Sequence, residues 1–187
     1  MKKLVFGALF LFSCASKEND NRLMQIETLV KPATLKDYVN YKSISLEKVT
    51  SVDAATSIDD MKKELGKPST ENIDSVIAFC SNVKSKAALR KDTSTYKVWK
   101  WETDRMKQLK NIDGKQTVYT VYKNTYLLGK RSQATALDTI KGYYFFDNND
   151  NLIGGVTAEV YNYFKAQATK SGSQPYHLCQ VYIQERI

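Results

Sequence analysis

A nucleophile needs a base beside it, and this chain offers few bases of the right kind. His177 is the sole histidine among 187 residues, so any Ser–His or Cys–His pair must use it. It follows Pro175 at the start of a stretch that reads as a strand, and no Gly-x-Ser-x-Gly elbow accompanies it. It therefore reads as a structural histidine. Zinc ligation has no support, because one histidine and the far-separated Cys80 and Cys179 lack ligand spacing. Asp147-Asn148-Asn149-Asp150-Asn151 begins like a calcium loop. Leu152, however, stands where glycine must make the sharp turn, and Ala158 where a glutamate would complete the coordination. This is a hairpin turn. We expect no catalytic residue, no metal and no cofactor.

Binding chemistry is better represented. Between Lys84 and Lys110 nine basic residues stand against three acidic ones, Asp92, Glu102 and Asp104. Within this run Lys97, Lys100 and Arg105 interleave with Trp99 and Trp101, the residues most suited to meeting a partner. Such a patch fits anionic headgroups, glycans or an acidic protein face; rings among cations also serve to stack nucleic-acid bases. A plain solvated face is the alternative. The chain carries 12 tyrosines, several of them clustered between Tyr119 and Tyr163. On an exposed sheet face they would form a rigid amphipathic platform, and on a covered one they are packing.

The choice among partners depends on compartment, and the first fourteen residues address that. Lys2 and Lys3 precede an unbroken apolar run, Leu4 to Phe12, closed by Ser13-Cys14. This is the plan of a secretory signal, and the run is about half of the roughly 20 residues a membrane-spanning helix needs. Leu11-Phe12-Ser13-Cys14 resembles the lipobox of bacterial lipoproteins. That resemblance implies cleavage before Cys14 and acylation of its thiol, and two or more chains anchor stably where one does not. The expected organisation is a signal peptide over residues 1–13, a lipidated tether over 14–31 and one domain over 32–187. Ala15, in place of the aspartate that retains lipoproteins in the inner membrane, points to the outer membrane, on its periplasmic or its cell-surface face. Ser16-Lys17-Glu18-Asn19-Asp20 is similar to a surface-export tether, and it also reads as a polar leash. Loss of Lys2 and Lys3 lowers the formal charge from +8 to +6. Export argues against a nucleic-acid partner. It also leaves Cys80 and Cys179 as a pair in an oxidising compartment, where a disulfide is expected; two separate buried thiols are the alternative.

The elements that must position these residues come next. Thr34-Leu35-Lys36-Asp37 has the chemistry of a short helix start. Ser57 to Leu65 spells a helix capped by Ser57, with Ile58, Met61 and Leu65 on one stripe and Gly66 and Pro68 ending it. A second helix runs from Thr70 to about Leu89, with Cys80 on its apolar face. Alternation then predicts a strand over Tyr96–Trp101, with Trp99 and Trp101 on one side. A polar connection over Met106–Lys115 follows. Thr117–Tyr122 reads as a strand extending towards Lys130. Gly142–Phe146, the Asp147–Asn151 turn and Leu152-Ile153 make a hairpin. Val156–Ala168 suits a strand in its first half, although Val160 and Phe164 also fit a helix, and His177–Gln184 reads as a final strand. Helices followed by a strand meander predict an α+β domain, its N-terminal helices packed on one side of an antiparallel sheet.

The run Thr56-Ser57-Ile58-Asp59-Asp60-Met61 with Leu65-Gly66-Lys67-Pro68 is similar to the opening of the SmpA/OmlA family, small outer-membrane lipoproteins that include the BamE subunit of the barrel-assembly machinery. In this resemblance Tyr96-Lys97-Val98-Trp99 is an early aromatic strand, and Tyr144-Phe145-Phe146-Asp147 a later one that turns back through a polar hairpin. It implies the helix-on-sheet plan shared with β-lactamase inhibitor proteins. It covers about Thr56 to Val156 and transfers no partner-contact residues.

The function expected is that of a non-catalytic outer-membrane lipoprotein. It would be an envelope interaction module presenting a sheet face and the basic segment to a protein. The alternative is a cell-surface lipoprotein that captures a glycan or peptide. A cell-wall hydrolase is third, for want of a nucleophile–base pair.

Overall fold

The computed structural model of the chain describes residues 12–34, 38–130 and 133–186, with side chains over 19–31, 41–129 and 137–186. Its frame is one antiparallel sheet of four strands in the order of the chain: β1 (Tyr38–Asp53), β2 (Thr117–Lys130), β3 (Gln133–Asp147) and β4 (Leu152–Thr157). Helix α1 (Phe12–Thr34) precedes β1; α2 (Ala54–Glu64), α3 (Ile73–Leu89) and α4 (Thr93–Lys110) separate β1 from β2; α5 (Ala158–Ser171) and α6 (Pro175–Gln184) follow β4. The α+β expectation holds.

Two-residue alternation splits the sheet into two apolar faces. Tyr119 and Val121 of β2 and Phe145 of β3 join a core with Met61, Val76, Cys80, Met106, Leu109, Cys179 and Ile183 of the later helices. Tyr122, Tyr126 and Leu128 with Tyr144 and Phe146 form a second core beneath Ile26 and Val30 of α1. The sheet is thus covered by helices on both sides rather than on the one side expected, because α1 closes the second face, and these tyrosines are packing rather than platform.

Helix α1 is the first departure from the sequence reading. Residues 14–31, expected as a solvated leash, are helical, and Ile26 is fully buried. One apolar pair and two polar groups do this. Arg22 grips Asp150 in the β3–β4 turn, with Nη2 donating at 2.7 and 2.8 Å and Nε at 3.1 Å. Gln25 donates from Nε2 to the Asp150 carbonyl at 2.9 Å and accepts the Leu152 N–H at 2.8 Å. The turn itself is tied by Asp147, whose Oδ1 accepts the N–H groups of Asn149 and Asn151. Residues 1–11 of the expected signal peptide (1–13) and residues 35–37 of the expected helix start (34–37) lie outside the described residues, while Phe12, Ser13 and Thr34 belong to α1.

Three further segments are helices where strands were expected. Tyr96–Trp101 lies inside α4, entered through an Asp92 side chain that accepts the Thr95 N–H. The buried stripe of α4 runs Glu102, Thr103, Met106, Leu109. Two polar residues in that stripe hide its helical period, while the aromatic alternation just before it imitates a strand. His177–Gln184 belongs to α6, which buries Tyr176, His177, Cys179, Gln180 and Ile183. Val156 lies in β4, and Thr157, the last residue of that strand, caps α5. The helix expected from Ser57 starts earlier, capped by Asp53, which accepts the Thr56 N–H at 2.7 Å. Helix α6 lies close against β4 because of Gly154 (φ +158°), where a Cβ would come within 2.6 Å of Ile183.

Candidate functional site: a basic groove between helices α4 and α6

On the face of α4 turned away from its core stripe, the helical repeat aligns Lys97, Lys100, Trp101, Asp104, Arg105 and Gln108. With Gln180 and Gln184 of α6, and Asp147 and Ile153 at the sheet's end, they line a groove of about 510 Å³. That volume is in the range of small-ligand sites, about 300–1,000 Å³. Four of the five residues singled out from sequence meet here: Lys97, Lys100, Trp101 and Arg105. Trp99 does not. Lying about 200° round the helix from Trp101, it packs against the core and edge-on to Phe79 of α3, with ring centroids 5.9 Å apart.

The groove's charges are unequal in freedom. Lys100 is held by Asp104 at 2.6 Å, and this bond lowers the Asp104 pKa. Asp147 is raised by burial, but the Asn151 and Asn149 amides outweigh that and leave it lowered. Neither carboxyl is therefore poised to donate a proton near neutral pH, which a glycosidase acid requires. Arg105 is different. Its Nε and Nη2 are buried, and neither has a hydrogen-bond partner among the described residues; the same is true of the Gln180 Nε2. Gln180 is 97% buried. Burial also lowers the Arg105 pKa, with Tyr119 acting slightly the other way. Each unsatisfied buried donor costs about 1–3 kcal/mol; two buried acceptor atoms, Glu102 Oε2 and Asp60 Oδ2, likewise have no partner among the described residues.

Below the groove lies a buried ionic cluster. His177 Nε2 sits 3.0 Å from Glu102 Oε1, with both side chains 5% exposed, and the imidazole stacks beneath Trp101. Burial pulls the His177 pKa down, but the charge and hydrogen bond of Glu102, helped by Glu64 and Asp60, outweigh it and leave the pKa raised. Asp60 is pushed upward by its own burial, opposed by the Gln174 N–H that it accepts. Among the described residues no serine or cysteine hydrogen-bonds His177, whose partner is Glu102. The imidazole is committed to Glu102, as a structural histidine would be.

The two cysteines of the domain are free and buried, so the expected disulfide is absent. Cys80 lies on α3, which packs chiefly on α4, whereas Cys179 lies on α6, against α5, β4, α2 and α4. Burial drives the Cys80 thiol up to about 11 and the Cys179 thiol up to about 12, far from nucleophilic thiolate. The side chain of Cys14 lies outside the described residues. Among the described residues there is no cluster of His, Cys, Asp and Glu able to hold a metal, and no helix is long and apolar enough to cross a membrane.

Sequence reasoning missed Gln180, because α6 was read as a strand, and Glu102 and Asp60, because carboxylates usually mark a solvated face. Their signal was indirect. Both stand at positions where the helical stripe demands an apolar residue. No family model, curated protein or solved structure matches this chain. The likeness to the SmpA/OmlA lipoproteins stays with its motif residues, and one strand it assigned, Tyr96–Trp99, is helical.

Proposed function

We propose that this protein is a non-catalytic lipoprotein of the bacterial outer membrane, anchored by lipid on Cys14, that binds a segment of an envelope partner in the α4–α6 groove. The lipobox-like Leu11–Cys14 supports the anchor. The observation that carries the binding reading is the set of unpartnered donors on Arg105 and Gln180 in a groove rimmed by Lys97 and Lys100. Helices cover both sheet faces, so the platform form of the interaction gives way to capture in a groove. The lowered Asp104 and Asp147 and the committed His177 weigh against hydrolysis.

The test places a photo-cross-linking amino acid at Lys97 on the groove rim or at Lys48 on β1, in intact envelopes. A discrete adduct from position 97 and none from position 48 is expected. Equal labelling from both, or none from either, removes the groove from the proposal. Cys14→Ala should leave an uncleaved precursor without palmitate label. Labelling of that variant would refute the anchor.

A further inference from the structure

The protein contains a filled version of its own empty site. On α1, Arg22 and Gln25 stand three residues apart on one helix face. Arg22 closes its Nε/Nη2 edge on the Asp150 carboxylate. Gln25 bonds main-chain groups on either side of the turn, the Asp150 carbonyl and the Leu152 N–H. On α4, Arg105 and Gln108 have the same spacing and both line the groove. There the same Nε/Nη2 edge has no partner, and the Gln180 amide adds another unfilled donor.

We infer that the groove is a receptor for an acidic peptide segment, with Arg105 taking one Asp or Glu side chain end-on and Gln108 and Gln180 bonding the main chain beside it. The inference rests on the groove being the binding face, and it names the chemical class of what enters. Two parallel N–H donors in one plane match a carboxylate or a phosphate. The lining selects between them. Three cations, Lys97, Lys100 and Arg105, face two carboxylates, Asp104 and Asp147, an excess of one that suits a single carboxylate at the fork and opposes a phosphate, which concentrates about −1.5 to −2 at one point. Arg105 Nε and Nη2 are shut from solvent in the free protein, so the ligand draws them outward by a turn of the guanidinium about its flexible stem. Trp101, stacked on His177, supplies a fixed apolar wall beside the acidic side chain.

The experiment uses the purified full chain and the acetylated, amidated peptide copying residues 147–152, Asp-Asn-Asn-Asp-Asn-Leu. A counterpart with both aspartates replaced by asparagine, glucuronate and inorganic phosphate are the comparison probes. Binding is read by calorimetry and by the indole N–H resonance of Trp101. The acidic peptide should saturate and shift that resonance, with the asparagine peptide weaker by about tenfold or more. Arg105→Lys keeps the charge and loses the fork. It should weaken the acidic peptide by about tenfold, with its thermal unfolding unchanged as evidence of an intact fold. Gln108→Ala, an exposed change that leaves the fold alone, should weaken it by about threefold. Failure of the acidic peptide to saturate overturns the inference. So does equal binding of the asparagine peptide, full binding by Arg105→Lys, or tighter binding of glucuronate or phosphate, either of which reassigns the groove. A position-97 adduct in envelopes with no peptide binding removes this inference alone. Peptide binding without an adduct removes the envelope reading and leaves this one standing.

Discussion

Arg22 and Arg105 lie over opposite faces of the same sheet, and they are treated in opposite ways. Arg22, buried to 8% exposure, has its fork closed on Asp150 and its plane over the Tyr122 ring at 4.7 Å. Arg105 keeps the equivalent edge of its fork unfilled. The face under α1 has spent its polar chemistry on holding the chain together. The face under α4 and α6 holds unpaired donors, a buried imidazole–carboxylate pair and two free thiols. The filled fork holds structure together, and the unfilled one is what the proposed binding reading rests on.

The contrast can be broken by substitution. The largest effect is expected at Asp150→Ala, which strands a buried guanidinium. Because the Asp150 side chain is 40% exposed, the loss should be about 2–3 kcal/mol in urea unfolding, below the 3–5 of a fully buried pair. Arg105→Met should have the opposite sign. Removing two unsatisfied donors should leave stability unchanged or raise it by about 1 kcal/mol. If Arg105→Met costs as much as Asp150→Ala, the two arginines serve the same structural purpose.

A smaller effect is expected from pH. His177 has its folded pKa raised above the ordinary 6.5, so the stability from its pairing with Glu102 is fully present below about pH 6.5 and is lost as pH rises through the folded value. Melting temperature should therefore fall from pH 6 towards the alkaline side. In Glu102→Gln, burial becomes the leading influence on the imidazole, and the slope across this range should flatten or reverse. An unchanged slope in that variant would detach the pH response from the pair. The smallest expected effect is an absence of reaction. Cys80 and Cys179 should resist iodoacetamide in the native protein and both take up label after unfolding without reductant. A mass showing one disulfide instead would contradict their free state.

Much of the sheet was legible because its strands obey local rules. Thr117–Tyr122 and Gly142–Phe146 are β-branched or aromatic, and the Asp147–Asn151 turn is spelled by residues that bond their own backbone. Helix α3 was legible from its apolar period. What failed was the reading of short alternations. Trp99 and Trp101 share a face on a strand but point about 200° apart on a helix, so the five residues proposed as a contact patch divided into four and one. Strand β1 was hidden by its polar content. It is an edge strand with lysines and several register shifts, features that guard an edge against unwanted pairing and dilute the hydrophobic signal. The groove was half legible. Its α4 wall could be named from charge and aromatics, whereas Gln180 and Gln184 become its other wall only once α6 is a helix.

The docking of α1 also sets how far the protein can reach. Eighteen residues of free leash, from 14 to 31, would extend over about 60 Å. A helix from Cys14 to its first clamp at Arg22 rises about 12 Å. Under the proposed lipid anchor on Cys14, so short a stem would keep the domain beside the bilayer, and a partner of the groove would have to come to it there.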